Sequence, residues 1–280
     1  MPVLQERGYQ TSQLVRRPAT GKNQIRWDPT QPVNPDSVTG FDAVIHLAGE
    51  SIVGRWGKAK KAAIRDSRVL GTRHLAEALA RAPQPPGVLV AASAIGYYGD
   101  RGEELLREDS GPGQGFLADV CQEWEAAATL AAKGGIRVVH LRIGIVLSPA
   151  SGALAAMVKP FRLGLGGRIG SGRQWWSWID VHDLVGAILH AIMTESLRGP
   201  VNAVSPNPVT NSDFTGALAK ALSRPAIFPM PAFAARLALG QMAGELLLAS
   251  KRVAPARLLA SGFQFGYPDL AASLRANLAR

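Results

Sequence analysis

Asp42-Ala43-Val44-Ile45-His46-Leu47-Ala48-Gly49 is the stretch that decides the fold. It is a short, nearly continuous apolar run stopped by a glycine, the form taken by a strand buried on both faces of a parallel sheet. A helical pattern follows from Ala59 to Ala82 and is closed by Pro83-Gln84-Pro85-Pro86, and Val88 to Ser93 then reads as a second strand of the same kind. Upstream, Gln13-Leu14-Val15 is a short strand ending at Arg16-Arg17-Pro18. Downstream, Leu117 to Ala132 reads as a helix and Ile136 to Val146 as a strand of β-branched and apolar residues. Asp183 to Thr194 is a further helix, and Pro200 to Val204 a late strand. This alternation predicts an α/β fold: a doubly wound parallel sheet, helices on both faces, and right-handed crossovers.

Two stretches break the alternation. Pro149 to Gln174 is glycine-rich and basic, with Arg162, Arg168 and Arg173 among Gly164, Gly166, Gly167, Gly170 and Gly172. It reads as a substrate loop over a site or as a plain surface connection. Past Pro225 the character changes: Phe233 to Ala249 has helical apolar spacing, and the tail from Lys251 to Arg280 reads as short helices. A boundary is therefore expected near residue 225, with a main domain over 1–225 and a small, mainly helical extension over 226–280.

Composition narrows the function. The chain has 280 residues, 47% apolar and 19% charged, which excludes a disordered or fibrous protein. No apolar run reaches the ~18 residues of a membrane span, and MPVLQERGYQ carries no secretory signal core. The single cysteine, Cys121, rules out an intramolecular disulfide and a cysteine-cluster metal site, so no metal is expected and a reducing, cytoplasmic location fits. The net charge of +10 admits nucleic acid or an anionic ligand. Much of it is local: Arg55, Lys58, Lys60, Lys61, Arg65, Arg68 and Arg73 stand against Asp66 alone. Such a run is a solvated helix face or an anion-facing surface. With no zinc-finger spacing, aromatic RNA-binding signature or basic-zipper heptad, the expected partner is a small molecule, with neither nucleic acid nor membrane. The oligomeric state is left open.

Several motifs occur in order: His46-Leu47-Ala48-Gly49-Glu50, Ser67-Arg68-Val69-Leu70-Gly71-Thr72, Ser93-Ala94-Ile95-Gly96-Tyr97-Tyr98-Gly99, Leu141-Arg142-Ile143-Gly144-Ile145-Val146-Leu147, Phe161-Arg162-Leu163-Gly164-Leu165-Gly166-Gly167, and Trp178-Ile179-Asp180-Val181-His182-Asp183. Lys251-Arg252-Val253-Ala254-Pro255 and Ser261-Gly262-Phe263 follow in the tail. Together they resemble the extended short-chain dehydrogenase/reductase superfamily, in the branch of NAD(P)-dependent epimerase-like proteins with a characteristic C-terminal extension. The resemblance implies a Rossmann-type sheet with a dinucleotide across the carboxyl ends of its strands.

It also implies roles. Leu47, Ala48 and Gly49 would let a flat cofactor approach the strand end. Arg16 and Arg17 stand where an acidic residue would hold a ribose 2′-hydroxyl, and a guanidinium there favours the 2′-phosphate, hence NADP with NAD possible. Arg142 and Gly144 would lie near the nicotinamide. Ser93 holds the superfamily's catalytic serine position, with a plain strand-end hydroxyl as the alternative. Tyr98 could reach the same site as a proton donor or be a core residue. Asp180 and His182 could form an oriented base, although capping of the helix by Asp183 is the simpler reading.

The sequence departs from the superfamily twice. The superfamily opens on a strand and a Gly-x-x-Gly-x-x-Gly turn whose N–H groups hold the pyrophosphate. Here Pro2 to Gly8 resembles the second half of the helix after that turn, so the central strand is expected to be absent. Val15 and Ile45 then lose the neighbour between them, and the given start is expected to lie downstream of the natural one. A genuinely short form with weak cofactor affinity is the alternative. Secondly, Gln13, Arg101, Gly102 and Ala271 stand four residues after Tyr9, Tyr97, Tyr98 and Tyr267, so the superfamily's Tyr-x-x-x-Lys acid/base pair is missing. Counting back from Glu125 puts Cys121 and Leu117 in its place, with Cys121 expected as a buried small hydrophobe rather than a nucleophile. The expected function is an NADP-linked epimerase or oxidoreductase acting on a small carbonyl, carbinol or sugar-like substrate. The alternative is a non-catalytic NADP-binding or regulatory protein.

Overall fold

The structure is a computed structural model that describes residues 2–279. A five-residue helix, α1 (Pro2–Glu6), leads into β1 (Gln13–Val15) and β2 (Gln24–Arg26), which pair in parallel. Next come β3 (Ala43–His46), the long helix α2 (Lys58–Arg81) and β4 (Val88–Ala94). The short β5 (Leu105–Leu106) precedes α3 (Phe116–Thr129) and β6 (Arg137–Ile143). With β10 (Gly199–Ala203), the strands β3, β4 and β6 form a four-stranded parallel sheet in the order β10-β6-β4-β3.

Strand parity assigns the two faces of this sheet. Leu89 and Ala91 of β4, with Val138 of β6, face a layer built by Leu75 and Leu79 of α2 and Ala128 of α3. Val88, Val90, Val139 and Leu141 point the other way, onto Ile188 and Ala191 of α5 (Val181–Met193) and onto Leu258. Apolar residues on both faces are what the continuous runs in the sequence require, and the α/β, doubly wound parallel architecture is present.

The chain departs from the expected elements where backbone chemistry overrides the apolar pattern. The run from Ile136 to Val146 is not one strand. It breaks at Gly144, and β7 (Ile145–Leu147) leaves the main sheet to pair with β9 (Trp178–Asp180), after the two-residue β8 (Trp175–Trp176). The glycine-rich 149–174 stretch contains the helix α4 (Gly152–Arg162), whose Leu154, Val158 and Phe161 are buried. The helical pattern over 233–249 breaks at Gly240 (φ 63°), which separates α7 (Ala232–Leu239) from a wide helical turn over Ala243–Leu248.

Residues after 225 are woven into the rest. β12 (Arg252–Val253) pairs in parallel with β5. Leu270 and Leu274 of α9 (Leu270–Leu278) share a core with Trp178 and with Phe214 and Leu218 of α6 (Asn211–Leu222). No helix among the described residues is long and apolar enough to cross a membrane.

The stretch Asp42–Gly49, expected as a fully buried strand, is only partly covered. β3 pairs with β4 alone and β1 with β2 alone. Between β1 and β3 lies a cavity of about 400 Å³, lined by Leu14, Val15, Trp27, Val44, Ile45 and Leu75 among others. Two strand edges therefore face this slot.

At the end of β3, His46 is buried, with Nε2 2.9 Å from Thr72 Oγ1, which also accepts from Trp124 Nε1 at 2.9 Å. Burial holds the imidazole down to about 4 from its ordinary 6.5. The unfolded chain therefore binds this proton first, so stability falls as pH drops from about 6.5 to about 4. The difference corresponds to about 3 kcal/mol. Urea unfolding across this window should show the loss, and His46→Asn should shrink it by that amount. An unchanged acid slope in the variant would assign the loss to other groups.

Candidate functional site

The carboxyl ends of β1 and β3 open side by side. Arg16 and Arg17 follow β1 and are both exposed. Leu47, at 53% exposure, Ala48 and Gly49 follow β3. This turn is pinned from α2. The Glu50 N–H donates to Ser67 Oγ (2.9 Å), and Arg68 Nη1 donates to the Glu50 carbonyl (3.0 Å). A Cβ at Gly49 would stand 3.1 Å from Arg68 Cζ, so a side chain there would push the guanidinium off the turn by a few tenths of an ångström. Lys60 bonds the Glu50 carboxylate at 2.9 Å and holds it below the usual range, with Arg16 and Arg68 adding to the effect.

Ser93 is buried and does not open onto this cleft. It shares the parity of Leu89 and Ala91, so its side chain turns toward α3, where Oγ donates to Glu125 Oε1 at 2.7 Å. Arg142, its register partner on β6, takes the same carboxylate in a fork, Nε to Oε1 and Nη2 to Oε2, each at 2.9 Å. The other arm, Nη1, donates to the Tyr98 hydroxyl at 3.0 Å, and that hydroxyl donates to Asn202 Oδ1 at 2.7 Å. The Tyr97 ring covers the guanidinium, 3.5 Å from its centroid to Cζ.

Ser93, Arg142 and Tyr98 are all buried. Burial works against the Arg142 charge, yet the Glu125 carboxylate outweighs it and holds the guanidinium above its ordinary value. Burial also raises the Tyr98 phenol. Arg142 is therefore an internal clamp between β6 and α3. Tyr98 belongs to the core, its hydroxyl bonded to Asn202 and Arg142, and does not stand ready to exchange a proton with solvent.

The positions of the missing acid/base pair are apolar. Leu117 and Cys121 of α3 are both buried against Gly96, whose added Cβ would meet Leu117 Cβ at 3.3 Å and Cys121 Sγ at 3.6 Å. Burial pushes the thiol up to about 12, with Glu125 adding to it, so Cys121 stays a neutral thiol near pH 7. That agrees with its reading as a small hydrophobe. The first turn of α3 is capped from the far end of the chain: Glu245 accepts from the N–H groups of Phe116 (3.1 Å) and Leu117 (2.8 Å). Lys251 is buried there as well, its ammonium 2.7 Å from the Glu245 carbonyl.

Gly144 owes its identity to packing. A Cβ there would meet the Ser177 carbonyl at 2.6 Å and Val204 Cγ1 at 2.8 Å. At the start of α5 it is Asp180, not Asp183, that caps the helix, accepting from the His182 N–H at 2.8 Å. Asp180 Oδ1 also lies 2.9 Å from His182 Nδ1, and its other oxygen accepts from Ser273 and Asn277. Asp183 instead receives the backbone N–H groups of Gly266 and Tyr267, tying down the tail. Among the described residues no cluster of three or more His, Cys, Asp or Glu is placed to hold a metal ion.

Arg68, Glu245 and Lys251 were not singled out as individual site residues from the sequence. Arg68 was one charge in a basic helix, and its only local signal was the small residue, Gly49, that makes room for it. Glu245 reaches α3 from 128 positions away in the chain, a relation no local pattern carries, and Lys251 bonds the Glu245 carbonyl.

Comparison with known proteins bears on the family and the fold. Residues 1–203 match the model of the NAD dependent epimerase/dehydratase family, and residues 230–276 match a domain of unknown function, DUF1731. An epimerase family protein of Mycobacterium bovis is 41% identical over 274 residues, covering 97% of this chain and 90% of its own length. The human epimerase family protein SDR39U1 is 36% identical over 277 residues, covering 98% of this chain and 92% of its own. A crystal structure of human SDR39U1 (isoform 2) with NADPH superposes with a TM-score of 0.91 at 35% identity, covering 100% of this chain and 94% of that one. A UDP-glucose 4-epimerase of Thermus thermophilus in complex with NAD shares the fold at 20% identity, with a TM-score of 0.76 and coverage of 99% and 93%.

Proposed function

This chain belongs to the NAD dependent epimerase/dehydratase family, and from that premise we propose that it is an NADP-linked epimerase or oxidoreductase of the extended short-chain dehydrogenase/reductase type. Its substrate would be a small carbonyl, carbinol or sugar-like molecule. The observation that carries the reading is the pair of exposed guanidinium groups, Arg16 and Arg17, at the strand end beside the open Leu47-Ala48-Gly49 turn. The NADPH held by human SDR39U1 supports the same choice of cofactor.

The residues present fit the adenosine end of NADP. Arg16 and Arg17 would take the 2′-phosphate by charge-assisted hydrogen bonds, and Ala48 and Gly49 offer a turn nearly bare of side chains for the adjoining ribose. The described residues contain no glycine-rich turn to receive the pyrophosphate. When bound, the cofactor supplies a hydride donor or acceptor. The chain's own contribution is to position: Glu125 and Arg142 lock the ends of β4 and β6 to α3, so the strand ends beneath the cofactor keep their register.

Titrating NADPH and NADH against the chain and its Arg16→Ala and Arg17→Ala variants tests the reading. NADPH should be preferred by about 1–3 kcal/mol, the scale of one charged hydrogen-bonded contact, and at least one variant should lose most of that preference. Equal affinity for both cofactors in the parent would sink it. A second reading, a non-catalytic NADP-binding or regulatory protein, is favoured by the buried Leu117 and Cys121 in the acid/base positions and by the Ser93 hydroxyl bonded to Glu125. Cofactor turnover across a panel of carbonyl compounds separates the two.

A further inference from the structure

The exposed apolar side chains are not spread evenly over the surface. Of the fourteen large hydrophobic residues that stand exposed among the described ones, two lie in the glycine-rich stretch, at Leu163 and Leu165, and five lie between Ile227 and Leu237, each of the seven 44–75% exposed. Backbone pairing sets the two segments side by side. The Phe228 N–H donates to the Gly166 carbonyl (3.2 Å), the Met230 N–H to the Arg168 carbonyl (2.8 Å) and the Gly170 N–H to the Met230 carbonyl (2.8 Å). A Cβ at Gly170 would stand 3.6 Å from Ala232 Cβ, so the start of α7 lies against the same strip. On α7, Phe233 and Leu237 are one turn apart and share a face, with the exposed Arg236 beside them and the buried Ala235 on the opposite side. Side chains of this size and exposure make an apolar belt on the order of several hundred Å², as large as the largest patch a monomer ordinarily shows and the mark of an interaction surface.

The charge of the belt has one sign. Positions 149–179 and 214–244 hold no Asp or Glu. Arg162, Arg168, Arg173, Arg224 and Arg236 are all exposed there, and none has a carboxylate at ion-pair distance among the described residues. The acidic residues that border these segments are engaged: Asp180 is buried and caps α5, Asp213 accepts from the Thr210 hydroxyl, and Glu245 caps α3. Cations and apolar groups alternate, Arg162 next to Leu163 and Arg236 next to Leu237. The core of a protein–protein interface is depleted of charge, with the charged groups at its rim. A second copy docked about a two-fold axis would set these guanidinium groups against their own copies. The boundary between headgroups and acyl chains of an anionic bilayer takes both kinds of side chain at once, with apolar groups below and guanidinium groups reaching up to the phosphates.

We propose that this belt is a peripheral docking surface for an anionic lipid bilayer. Phe228, Phe233 and Leu237 enter the acyl boundary, and Arg162, Arg168 and Arg236 take the lipid phosphates. Such docking needs no spanning helix, and none is present among the described residues. It is independent of whether the cleft holds NADP(H). Arg55 Nη1 donates to the Leu237 carbonyl at 3.3 Å, which links the docking helix to the chain leaving the Leu47-Ala48-Gly49 turn.

The test measures co-sedimentation with vesicles of pure phosphatidylcholine and with vesicles containing about one third phosphatidylglycerol. The proteins are the parent, the double variant Phe233→Ser/Leu237→Ser, the triple variant Arg162→Gln/Arg168→Gln/Arg236→Gln, and Leu259→Gln, a change at an exposed leucine outside the belt. The parent should bind the anionic vesicles at least about tenfold more tightly than the neutral ones and should lose most of that binding at about 0.5 M NaCl. The triple variant should bind both vesicles equally, the double variant should lose at least about tenfold on the anionic ones, and Leu259→Gln should match the parent. Thermal midpoints identify a variant that does not fold. Should the double variant fail in this way, Leu163→Ser/Leu165→Ser carries the apolar comparison. The proposal is overturned if the parent binds anionic vesicles no better than neutral ones, or if the apolar and arginine variants keep its affinity. It is overturned equally if sedimentation velocity shows a dimer that Phe233→Ser/Leu237→Ser dissolves, which would give the belt to a second copy of the chain.

Discussion

A version of this protein carrying one further β-strand and a glycine turn upstream of Pro2 should melt about 10 °C higher than the 280-residue chain and bind NADPH about tenfold or more tightly. The expectation comes from the slot between β1 and β3. Its walls are apolar, its volume is about 400 Å³, and each flanking strand is paired on one side only. A strand as long as β3 that filled it would bury apolar side chains worth about 1.5–3 kcal/mol each. For the four residues of such a strand that is about 6–12 kcal/mol gained against about 4–8 kcal/mol for ordering the backbone, and hydrogen bonds to β1 and β3 add to the balance, so the net gain is about 3 kcal/mol. About 2–4 °C per kcal/mol for a chain in this size range gives the shift in midpoint. The cofactor gain has a separate source. A glycine turn at the end of that strand would aim backbone N–H groups at the pyrophosphate, a part of the dinucleotide distinct from the 2′-phosphate proposed for Arg16 and Arg17. Thermal midpoints of both proteins with and without NADPH measure the two effects together. A cofactor-induced shift of equal size in both would show that the turn is not needed, and the cofactor would then have to be held by the Leu47-Ala48-Gly49 turn and the later strand ends.

The slot also shows what a one-dimensional reading captures. The identity and order of the strands followed from apolar runs, because a strand covered on both faces must be apolar throughout. The unpaired neighbours at Val15 and Ile45 followed from the superfamily topology that the resemblance implies. The reading failed where one residue redirects the chain. Gly144 sits in an apolar run that looks continuous, but a side chain there would collide with the Ser177 carbonyl, and β7 turns away to join β9. The helix α4 was hidden because its apolar residues, Leu154, Val158 and Phe161, are diluted by the glycines that follow them.

Ser93 marks a different limit. Its place at a strand end was legible, but the direction of its hydroxyl depends on parity, and parity needs the core. Once Leu89 and Ala91 are known to face α2 and α3, Ser93 must do so as well, and Glu125 is there to accept from it. Tyr98 looked like a mobile partner for Ser93 because it is near in sequence. Its real partner, Asn202, is 104 residues away.

The same network sets the other large effect expected of a single substitution. Arg142→Met should cost about 3–5 kcal/mol in urea unfolding, a large part of what holds a domain of this kind together. The loss is not the value of one ion pair. The fork from Arg142 and the hydroxyl of Ser93 are what neutralise and solvate the Glu125 carboxylate, which lies at the contact of α3 with β4 and β6. Without the guanidinium the carboxylate keeps one hydroxyl donor and must either take up a proton or draw in water, and Tyr98 loses a donor as well. Glu125→Leu alone strands the opposite charge, with the Tyr97 ring stacked on it and nothing to balance it. The double variant, Glu125→Leu with Arg142→Met, removes both charges at once, so it should lie nearer either single variant than their sum, with a coupling of about 2–3 kcal/mol. Additive losses would mean that the two residues act through separate contacts. The clamp that fixes the strand ends under the proposed cofactor site would then have to be sought in the backbone pairing of β4 with β6 instead.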